Sequence, residues 1–545
     1  MHRAPLTASL TVLALATSNA IAQTTAAPAT TIATADPIRI ELQGPAQWRT
    51  QFGPTNLGSL LASEAGSSMW KGYVTPLEGM LKGALGLDDA AYAEARARML
   101  DYGGSIAITF DFDGDDEGLR VAFGPDGSTD LPKLCDDLAK LAARMSDAQW
   151  TERDGALPML QIGPEHFVSK PEIRGSDATD WTATFAISRD TGLPAAQTAA
   201  AALGVELHAR RGEKAARSPF SLLCDVPAAI AANGGMEDAA TSAMLGLESM
   251  REIGLSIRAA GPQAQVEASM RFDGKDRGLF EILFPDTQGL PAISALRPAD
   301  AALWKTGRCD FRAIRRVIRA FADRVDATAD NVDEEMPPAI FDEQEGLLAH
   351  FTDEYAFASS AQSVEDLEDS QSNLVFAVRI RDHAKFADKW NAARKDLGFT
   401  ELSSEEQDGF VVQRLGGLVA VTAAYGPELL VIGYGRDVRD QVDAWITKAQ
   451  DGAWTTSKPA MPQGLSRAAP DGCNGTAEGQ VAMVLGQIVG SMGFVQSITG
   501  DMGQGFDWQQ VDVEAVQQLL KEHNLDIARS LTGYRDGWWR MRVFW

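Results

Sequence analysis

The sequence is poor in the residues and motifs that usually mark catalytic or metal sites. Its 545 residues include six histidines and four cysteines. The histidines lie far apart, without metal-ligand spacing, and the sequence has no C-x-x-C, H-E-x-x-H or G-x-S-x-G motif and no phosphate-binding glycine loop. Local motifs therefore predict no metal, no cofactor and no catalytic residue. Catalytic groups can still meet from distant positions, so enzymatic function stays open but is the less favoured interpretation.

Positive charge and long apolar runs are also scarce. The formal net charge is −26 and the pI is about 4.7. This charge argues against nucleic acid or anionic lipid as a partner, because their phosphates would be repelled, whereas a cationic or cell-envelope ligand is compatible with it. Residues 481–495 are apolar but glycine-rich and shorter than the roughly 20 residues that a membrane helix needs. We predict no transmembrane segment in the mature chain.

The first residues have the composition of an export signal. A basic start with Arg3 precedes an apolar stretch, and Ala20-Ile21-Ala22 provides small residues for cleavage after Ala22. Residues 1–22 are predicted to be a signal peptide, and residues 23–35, rich in Ala, Thr and Pro, a solvated leader. The mature protein is therefore expected in the periplasm or outside the cell.

An internal repeat organises the rest of the chain. The sequence F-D-G-D-D-E-G-L at residues 112–119 returns as F-D-G-K-D-R-G-L at residues 272–279. Alternating apolar runs flank both copies, which predicts a β-hairpin in each. The first copy imitates the start of a calcium loop, but the second replaces Asp115 and Glu117 by Lys275 and Arg277. The shared residues are thus better explained as turn formers than as metal ligands.

These patterns predict an α+β fold of repeated modules, in which amphipathic helices pack on antiparallel meander sheets. The clearest predicted strand–helix junction is the strand at residues 373–380 with the helix after it, which Asp382 caps. The runs V-E-L-H-A at 205–209 and L-F-E-I-L-F at 279–284 are also predicted as strands. The predicted domains are module 1 (36–150), a connector (151–179), module 2 (180–297), module 3 with an acidic insertion (298–452), and a C-terminal helix and hairpin segment (453–545).

Disulfide bonds are compatible with an exported chain. Cys224 and Cys309 each end a predicted strand and precede an aspartate that opens a helix. If the modules are repeats, these residues lie at like positions, which favours a Cys224–Cys309 bond. The alternative is two independently buried thiols.

The sequence favours a non-enzymatic binding, envelope-associated or structural role, and two other functions are alternatives to it. Ser68 and Lys71 form S-x-x-K, Ser176-Asp177-Ala178 follows, and Lys305 begins K-T-G, the order found in penicillin-recognising serine enzymes. However, Ala178 stands where those enzymes have Asn. The aromatic and apolar alternation at the C-terminus, ending at Trp545, instead suggests an outer-membrane-associated protein, but the many capped helices argue against it.

Three segments resemble a group of uncharacterised exported bacterial proteins built from loosely repeated α+β modules. They are P-A-D-A-A-L at Pro298 with R-C-D-F-R-A-I after it, N-L-V-F-A-V-R-I-R-D-H-A-K-F from Asn373, and L-G-L-E-S-M-R-E-I-G-L-S-I-R from Leu245. The resemblance covers most of the mature chain and rests on structural motifs. It implies export and a modular α+β fold, and it brings no established activity and no catalytic residue.

Overall fold

The structure is a computed structural model of the chain. It describes residues 37–64, 89–111, 118–125, 130–145, 149–153, 156–161, 166–175, 181–189, 192–209, 218–232, 242, 246–274, 277–299, 301–322, 336–360, 373–416, 421–435, 438–457, 459, 461, 465, 468–481 and 513–545. These residues divide into two compact units. The N-terminal unit contains Ala26–Met236 and Arg251–Ala268, and the C-terminal unit contains Glu237–Met250 and Ser269–Trp545.

The N-terminal unit consists of an antiparallel sheet and six described helices. Its strands are β1 (Ile38–Gln43), β2 (Ser105–Asp111), β3 (Gly118–Phe123), β4 (Thr151–Arg153), β5 (Ala156–Gln161), β6 (His166–Ser169), β7 (Glu172–Arg174), β8 (Thr182–Arg189), β9 (Phe220–Asp225), β10 (Met250–Ala260) and most of β11 (Gln263–Phe272). Its helices are α1 (Pro45–Phe52), α2 (Asn56–Ala62), α3 (Asp89–Asp101), α4 (Leu131–Met145), α5 (Leu193–Ala209) and α6 (Val226–Ala232).

Strand β1 lies in the middle of this sheet. On one side it pairs with β2, which is followed by β3 and β8, and on the other side with β9, which is followed by β10. Strands β6 and β7 both pair with β8, and β5 and β4 extend the sheet from β6. Helix α5 packs on Ala107 and Ala122, while α4 packs on the opposite face at Ala183. Small residues on the strands let both helices approach the sheet closely.

The C-terminal unit has a second antiparallel sheet. Its strands are β12 (Leu303–Arg308), β13 (Phe351–Ser359), β14 (Leu374–Ile380), β15 (Thr400–Gln407), β16 (Phe410–Gly416), β17 (Val421–Tyr425), β18 (Leu429–Tyr434), β19 (Cys473–Gln480), β20 (Ile527–Arg535) and β21 (Trp538–Phe544). Its helices are α7 (Leu279–Leu283), α8 (Ala313–Ala322), α9 (Pro338–Phe341), α10 (His383–Asp396), α11 (Val438–Ala449) and α12 (Val513–Glu522), with 3-10 turns at Ala292–Leu296, Leu347–His350 and Ala453–Thr455.

Strand β12 is the middle strand here. On one side it pairs with β13, and the sheet continues from there through β14, β18, β17, β16 and β15. On the other side it pairs with β19, and the sheet continues through β20 and β21. The final residues of β11 pair with β21. Helix α11 packs with Val442 and Trp445 against one face of the sheet, and α10 packs with Phe386 and Trp390 against the other.

The two sheets share one strand order. In the N-terminal unit the pairing runs from β1 to β2, β3 and β8 on one side and to β9 and β10 on the other. In the C-terminal unit it runs from β12 to β13, β14 and β18, and to β19 and β20. In both units a helix follows the third of these strands, α4 or α10, and another follows the fourth, α5 or α11.

The α+β class and the clearest predicted junction are confirmed. The strand at Leu374–Ile380 is followed by α10, and the Asp382 carboxylate accepts the backbone N–H of Lys385 at 3.4 Å. Gly398 lies just beyond the helix with φ +77°, the left-handed conformation that commonly ends helices. Of the described helices, none has the length and apolar character required to span a bilayer.

The predicted hairpin repeat is wrong in its second copy. Strands β2 and β3 do form a hairpin, although its turn, residues 112–117, lies outside the described residues. After Phe272, by contrast, the chain enters helix α7 where a strand was predicted. Helical spacing brings Phe280 and Phe284 together at 5.5 Å, and Phe280 also packs on Phe272 at 5.4 Å. Aromatic packing thus selects a helix for an ambiguous apolar run.

Two further assignments need correction. Residues 205–209, predicted as a strand, form the last turns of α5, because the preceding Ala-rich sequence continues the helix through Leu203 and Leu207 onto the sheet. Residues 151–179, predicted as a connector, contain the four short strands β4 to β7. Their shortness hides the alternation of side chains that would otherwise indicate strands.

Candidate ligand-binding site

The hairpin of β20 and β21 positions the side chains of the candidate site. Asp536 and Gly537 form its two-residue turn with φ of 52° and 80°. Two successive positive φ values match the twist of the flanking strands, and Asp-Gly adopts them readily. Arg535 pairs with Trp538, and Gly533 pairs with Arg540. Because side chains alternate along a strand, Arg535, Trp538 and Arg540 lie on the same face.

A cleft of about 330 Å³ opens at this turn. Its lining residues are Asp471, Arg535, Asp536, Trp538 and Arg540. Arg540 lies 3.8 Å from Asp471, and Arg535 lies 3.3 Å from Asp536. The carboxylate-bearing side chains are 77% and 85% exposed, whereas Arg540 is only 28% exposed. The acidic groups are therefore largely hydrated, while Arg540 is held against the protein.

The Trp538 indole contacts two guanidinium groups. That of Arg540 lies 5.3 Å from the ring centroid, and that of Arg271 lies 5.7 Å from it. Arg271 reaches the ring because the Phe272 N–H donates to the Gly537 carbonyl at 2.8 Å, which places the end of β11 beside β21. Within the described part of the chain, Arg271 makes no ion pair, so the indole contact is the interaction that orients it.

Aromatic packing supports the other face of the hairpin. Trp539 stacks on Phe284 with 4.8 Å between centroids. The buried Arg277 places its guanidinium 4.3 Å from the Tyr534 ring centroid and donates to the Phe284 carbonyl at 2.9 Å. Burial raises the pKa of the Tyr534 hydroxyl above its ordinary value. This packing holds the hairpin in place behind the cleft.

The chemistry of the lining residues suits the binding of a charged group. Guanidinium groups stay charged at neutral pH and donate several hydrogen bonds in a fixed plane. The described residues that line the cleft include no serine, cysteine, histidine or lysine, the types that most often act as nucleophile or base. Trp538 adds apolar surface. The arrangement can therefore hold a polar or anionic group beside a flat apolar one.

The residues of the predicted acyl-enzyme constellation are only partly described. Lys305 lies in the middle strand β12, and burial lowers the pKa of its ammonium group. Ser68, Lys71 and Ser176-Asp177-Ala178 lie outside the described residues. The acyl-serine alternative therefore stays a prediction. Labelling of the purified protein by a fluorescent penicillin, lost in Ser68→Ala, would support it.

The predicted Cys224–Cys309 bond is absent, and all four cysteines are free thiols. Cys224 lies within β9, whereas Cys309 follows the middle strand β12. These are different places in the shared strand order, so the repeat symmetry that favoured the bond does not apply to them. Burial raises the pKa of Cys309 to about 12 and that of Cys224 to about 11, which makes both thiols poor nucleophiles.

Sequence reasoning recognised the final hairpin but missed its site. The pattern of the segment Y-R-D-G-W-W-R-M-R predicts only a strand, a turn and a second strand. Its usable signal was the concentration of arginine and tryptophan around a tight turn in a strongly acidic chain. The contribution of Arg271 could not be found in this way, since it is more than 260 residues away in sequence. Among the described residues, no group of three or more His, Cys, Asp or Glu could hold a metal ion.

Comparisons with known proteins add little to this geometry. No protein-family model and no curated protein sequence matches the chain. Among solved structures, crystal forms I, III and IV of TP0453 are similar to part of it, with TM-scores of 0.21, 0.22 and 0.23 and identities of 7% to 8%. The similarity covers 46% of this chain and 78% to 79% of the other. TM-scores this low support no conclusion about fold or function.

Proposed function

We propose that this is an exported, non-enzymatic binding protein of the cell envelope, and that its ligand occupies the cleft at Trp538. The observation that carries the proposal is the Trp538 indole contacting the guanidinium groups of Arg271 and Arg540 beside a cleft of about 330 Å³. This volume falls at the lower end of small-molecule sites. The signal peptide predicted for residues 1–22 supports export to the periplasm or beyond.

We further propose that the two units are copies of one α+β module. Their common strand order and the like placement of α4 with α10, and of α5 with α11, support this proposal. If the units are copies, the β10–β11 turn at Gly261-Pro262 corresponds to the turn at Asp536-Gly537. The hairpin residues matching Arg535, Trp538 and Arg540 are then Ala260, Gln263 and Gln265.

This difference bears on function. If the module required arginine and tryptophan at these hairpin positions, the N-terminal copy would be expected to retain them. It has Ala260, Gln263 and Gln265 instead and still forms strands. The fold of the module therefore does not require the cluster around Trp538, as expected for residues that bind a ligand.

A ligand screen with matched variants tests the binding role. Wild-type protein is heated with peptidoglycan fragments, phospholipid head groups and polyamines, and any ligand raises the unfolding temperature by mass action. Trp538→Leu should abolish that rise. The control Tyr434→Leu removes another aromatic ring of the same unit, 37% exposed and away from the cleft lining, and should retain it. Equal shifts in wild type and Trp538→Leu would show that the ligand binds elsewhere.

A further inference from the structure

We infer that the cleft recognises a phosphate group carried by a small molecule, and that the Asp471 carboxylate occupies its place beside Arg540 until the ligand arrives. This inference rests on the proposed binding function and specifies the ligand of the same site. It reverses the expectation of a cationic ligand that the overall acidity of the chain suggested.

The local charge differs from that of the chain as a whole. Arg271, Arg535 and Arg540 bring three positive charges to Trp538 and its cleft, while Asp471 and Asp536 bring two negative ones. Arg271 has no acidic partner among the described residues. Displacing Asp471 leaves a cluster with an excess of two positive charges, which suits the roughly −1.5 to −2 charge of a phosphate monoester at neutral pH.

The aspartates bind their arginines at distances too long for them to compete strongly with a phosphate. Charge-assisted bonds between guanidinium and carboxylate normally measure about 2.7–2.9 Å. The Arg540–Asp471 separation is 3.8 Å and the Arg535–Asp536 separation is 3.3 Å. Because both aspartates are mostly hydrated, each ion pair contributes little free energy, and little is lost when the carboxylate moves away from its arginine. A phosphate can accept from two guanidinium groups at once, whereas within the described residues each aspartate contacts one.

The backbone near Asp471 allows its side chain to leave without moving the strand. Gly472, with φ +67°, packs so tightly that a Cβ there would lie 2.4 Å from the Tyr534 carbonyl oxygen. The Tyr534 N–H donates to the Gly472 carbonyl at 3.3 Å. The loop is thus fixed against β20 while the Asp471 side chain remains 77% exposed. Rotation of the Asp471 side chain alone is enough to expose the Arg540 guanidinium to a ligand.

The cleft is also larger than a phosphate ion needs. Its volume of about 330 Å³ leaves space for the organic part of a phosphate ester beside Trp538. The indole offers apolar surface for that part, and the arginines fix the phosphate. The same chemistry is available from a soluble phosphate ester and from a phospholipid head group, which experiment can distinguish.

Calorimetry with the full mature chain tests the inference. Glycerol 3-phosphate and inorganic phosphate are titrated into wild type, Asp471→Asn and Arg540→Gln. Asp471→Asn should bind glycerol 3-phosphate about two- to fivefold more tightly, since it removes the competing carboxylate. Arg540→Gln should weaken binding by about tenfold or more. Asp440→Asn and Arg414→Gln make the same changes at exposed positions outside the cleft lining and should bind as wild type does.

The outcomes separate this inference from the proposed function. Weaker binding of spermidine by Asp471→Asn, with no binding of either phosphate, would show a cation site and overturn the inference. A ligand lost in Trp538→Leu but unaffected by Asp471→Asn and Arg540→Gln would overturn it too, while the binding function stands. Retention on phosphatidylglycerol vesicles but not on phosphatidylcholine vesicles, with no binding of glycerol 3-phosphate, would assign the phosphate to a membrane lipid and support the inference.

Discussion

The indole rings of Trp304 and Trp445 lie 5.4 Å apart, where the middle strand β12 packs under helix α11. Both side chains are almost fully buried, at 3% and 1% exposure. In the N-terminal unit the second residue of the middle strand is Arg39, whose guanidinium contacts Glu206 of α5 at 2.8 Å. The same strand order therefore accommodates an aromatic pair in one unit and an ion pair in the other.

Truncation of the aromatic pair should strongly destabilise the C-terminal unit. Trp445→Ala removes a large buried ring from a closely packed core, and such changes cost about 3–5 kcal/mol of the free energy of unfolding. Denaturant unfolding followed by circular dichroism measures the loss. Leu397→Ala, at a leucine that is 52% exposed, is the control and should change stability by less than about 0.5 kcal/mol. A similar small effect for Trp445→Ala would contradict this account of the core.

Removal of Arg39 should leave two carboxylates without its guanidinium group. Arg39 is buried, and it contacts Glu41 at 2.6 Å as well as Glu206. Arg39→Met should therefore destabilise the N-terminal unit by about 3 kcal/mol, most of it the cost of the carboxylates left behind. Adding Glu206→Gln should recover part of this loss in the same unfolding measurement. Full additivity of the two changes would argue against the ion pair.

A buried hydrogen-bond chain should anchor the exposed strand β15. The Trp390 indole N–H donates to the Gln413 side-chain oxygen at 2.8 Å, and the Gln413 amide donates to Glu401 at 3.0 Å. Gln413→Met leaves the buried indole N–H without its acceptor and should cost about 1–3 kcal/mol. Hydrogen exchange should accelerate across β15 and β16. In a double-mutant cycle, Trp390→Phe should reduce the effect of Gln413→Met, and strict additivity would exclude the coupling.

Stability should fall at mildly acidic pH because of His350. Burial is the main cause that lowers the pKa of this histidine below its ordinary value of 6.5, and its Nε2 has no hydrogen-bond partner among the described residues. Below about pH 6.5 the unfolded chain binds a proton that the folded chain resists, so stability is complete above that pH and declines as the pH falls. His350→Gln should flatten the decline between pH 6.5 and 5, measured by thermal unfolding. An unchanged profile in His350→Gln would contradict this assignment.

Ellman's reagent should detect four thiols, but only after the protein has been unfolded. Burial raises the pKa of Cys135 and Cys309 to about 12 and that of Cys224 and Cys473 to about 11. At pH 8 the native protein should therefore react slowly with Ellman's reagent, since the thiolate is the reactive form. The guanidinium-unfolded, unreduced protein should release four equivalents of the coloured product. Two equivalents would reveal a disulfide bond.

Local sequence was sufficient where each element carries its own signals. Asp225 and Asp310 accept backbone N–H groups at the starts of α6 and α8, as expected for aspartates placed just before helices. The turn at Asp536-Gly537 likewise has the conformation that its residues favour. Strand β1 was not predicted, because its six residues occur in a stretch whose helical spacing of apolar residues dominates.

The candidate site shows the limit of such reasoning. Arg535, Trp538 and Arg540 are close in sequence, and the alternation of a strand places them on one face. Arg271 and Asp471 join them only because β11 pairs with β21 and the loop at Gly472 packs against β20. No local pattern contains those pairings, which depend on contacts between distant residues.

By itself the sequence determined the acidity of the chain, the helix caps at Asp225, Asp310 and Asp382, and the mixture of amphipathic helices and alternating strands, because each of these depends on neighbouring residues. Only the tertiary structure decided that residues 279–283 form a helix, that β1 and β12 are the middle strands, and that Arg271 meets Trp538. The physical reason is that strand pairing and aromatic packing gain their free energy from residues far apart in the chain. The local sequence shows which residues can pack in a core, and the tertiary structure determines which residues they contact.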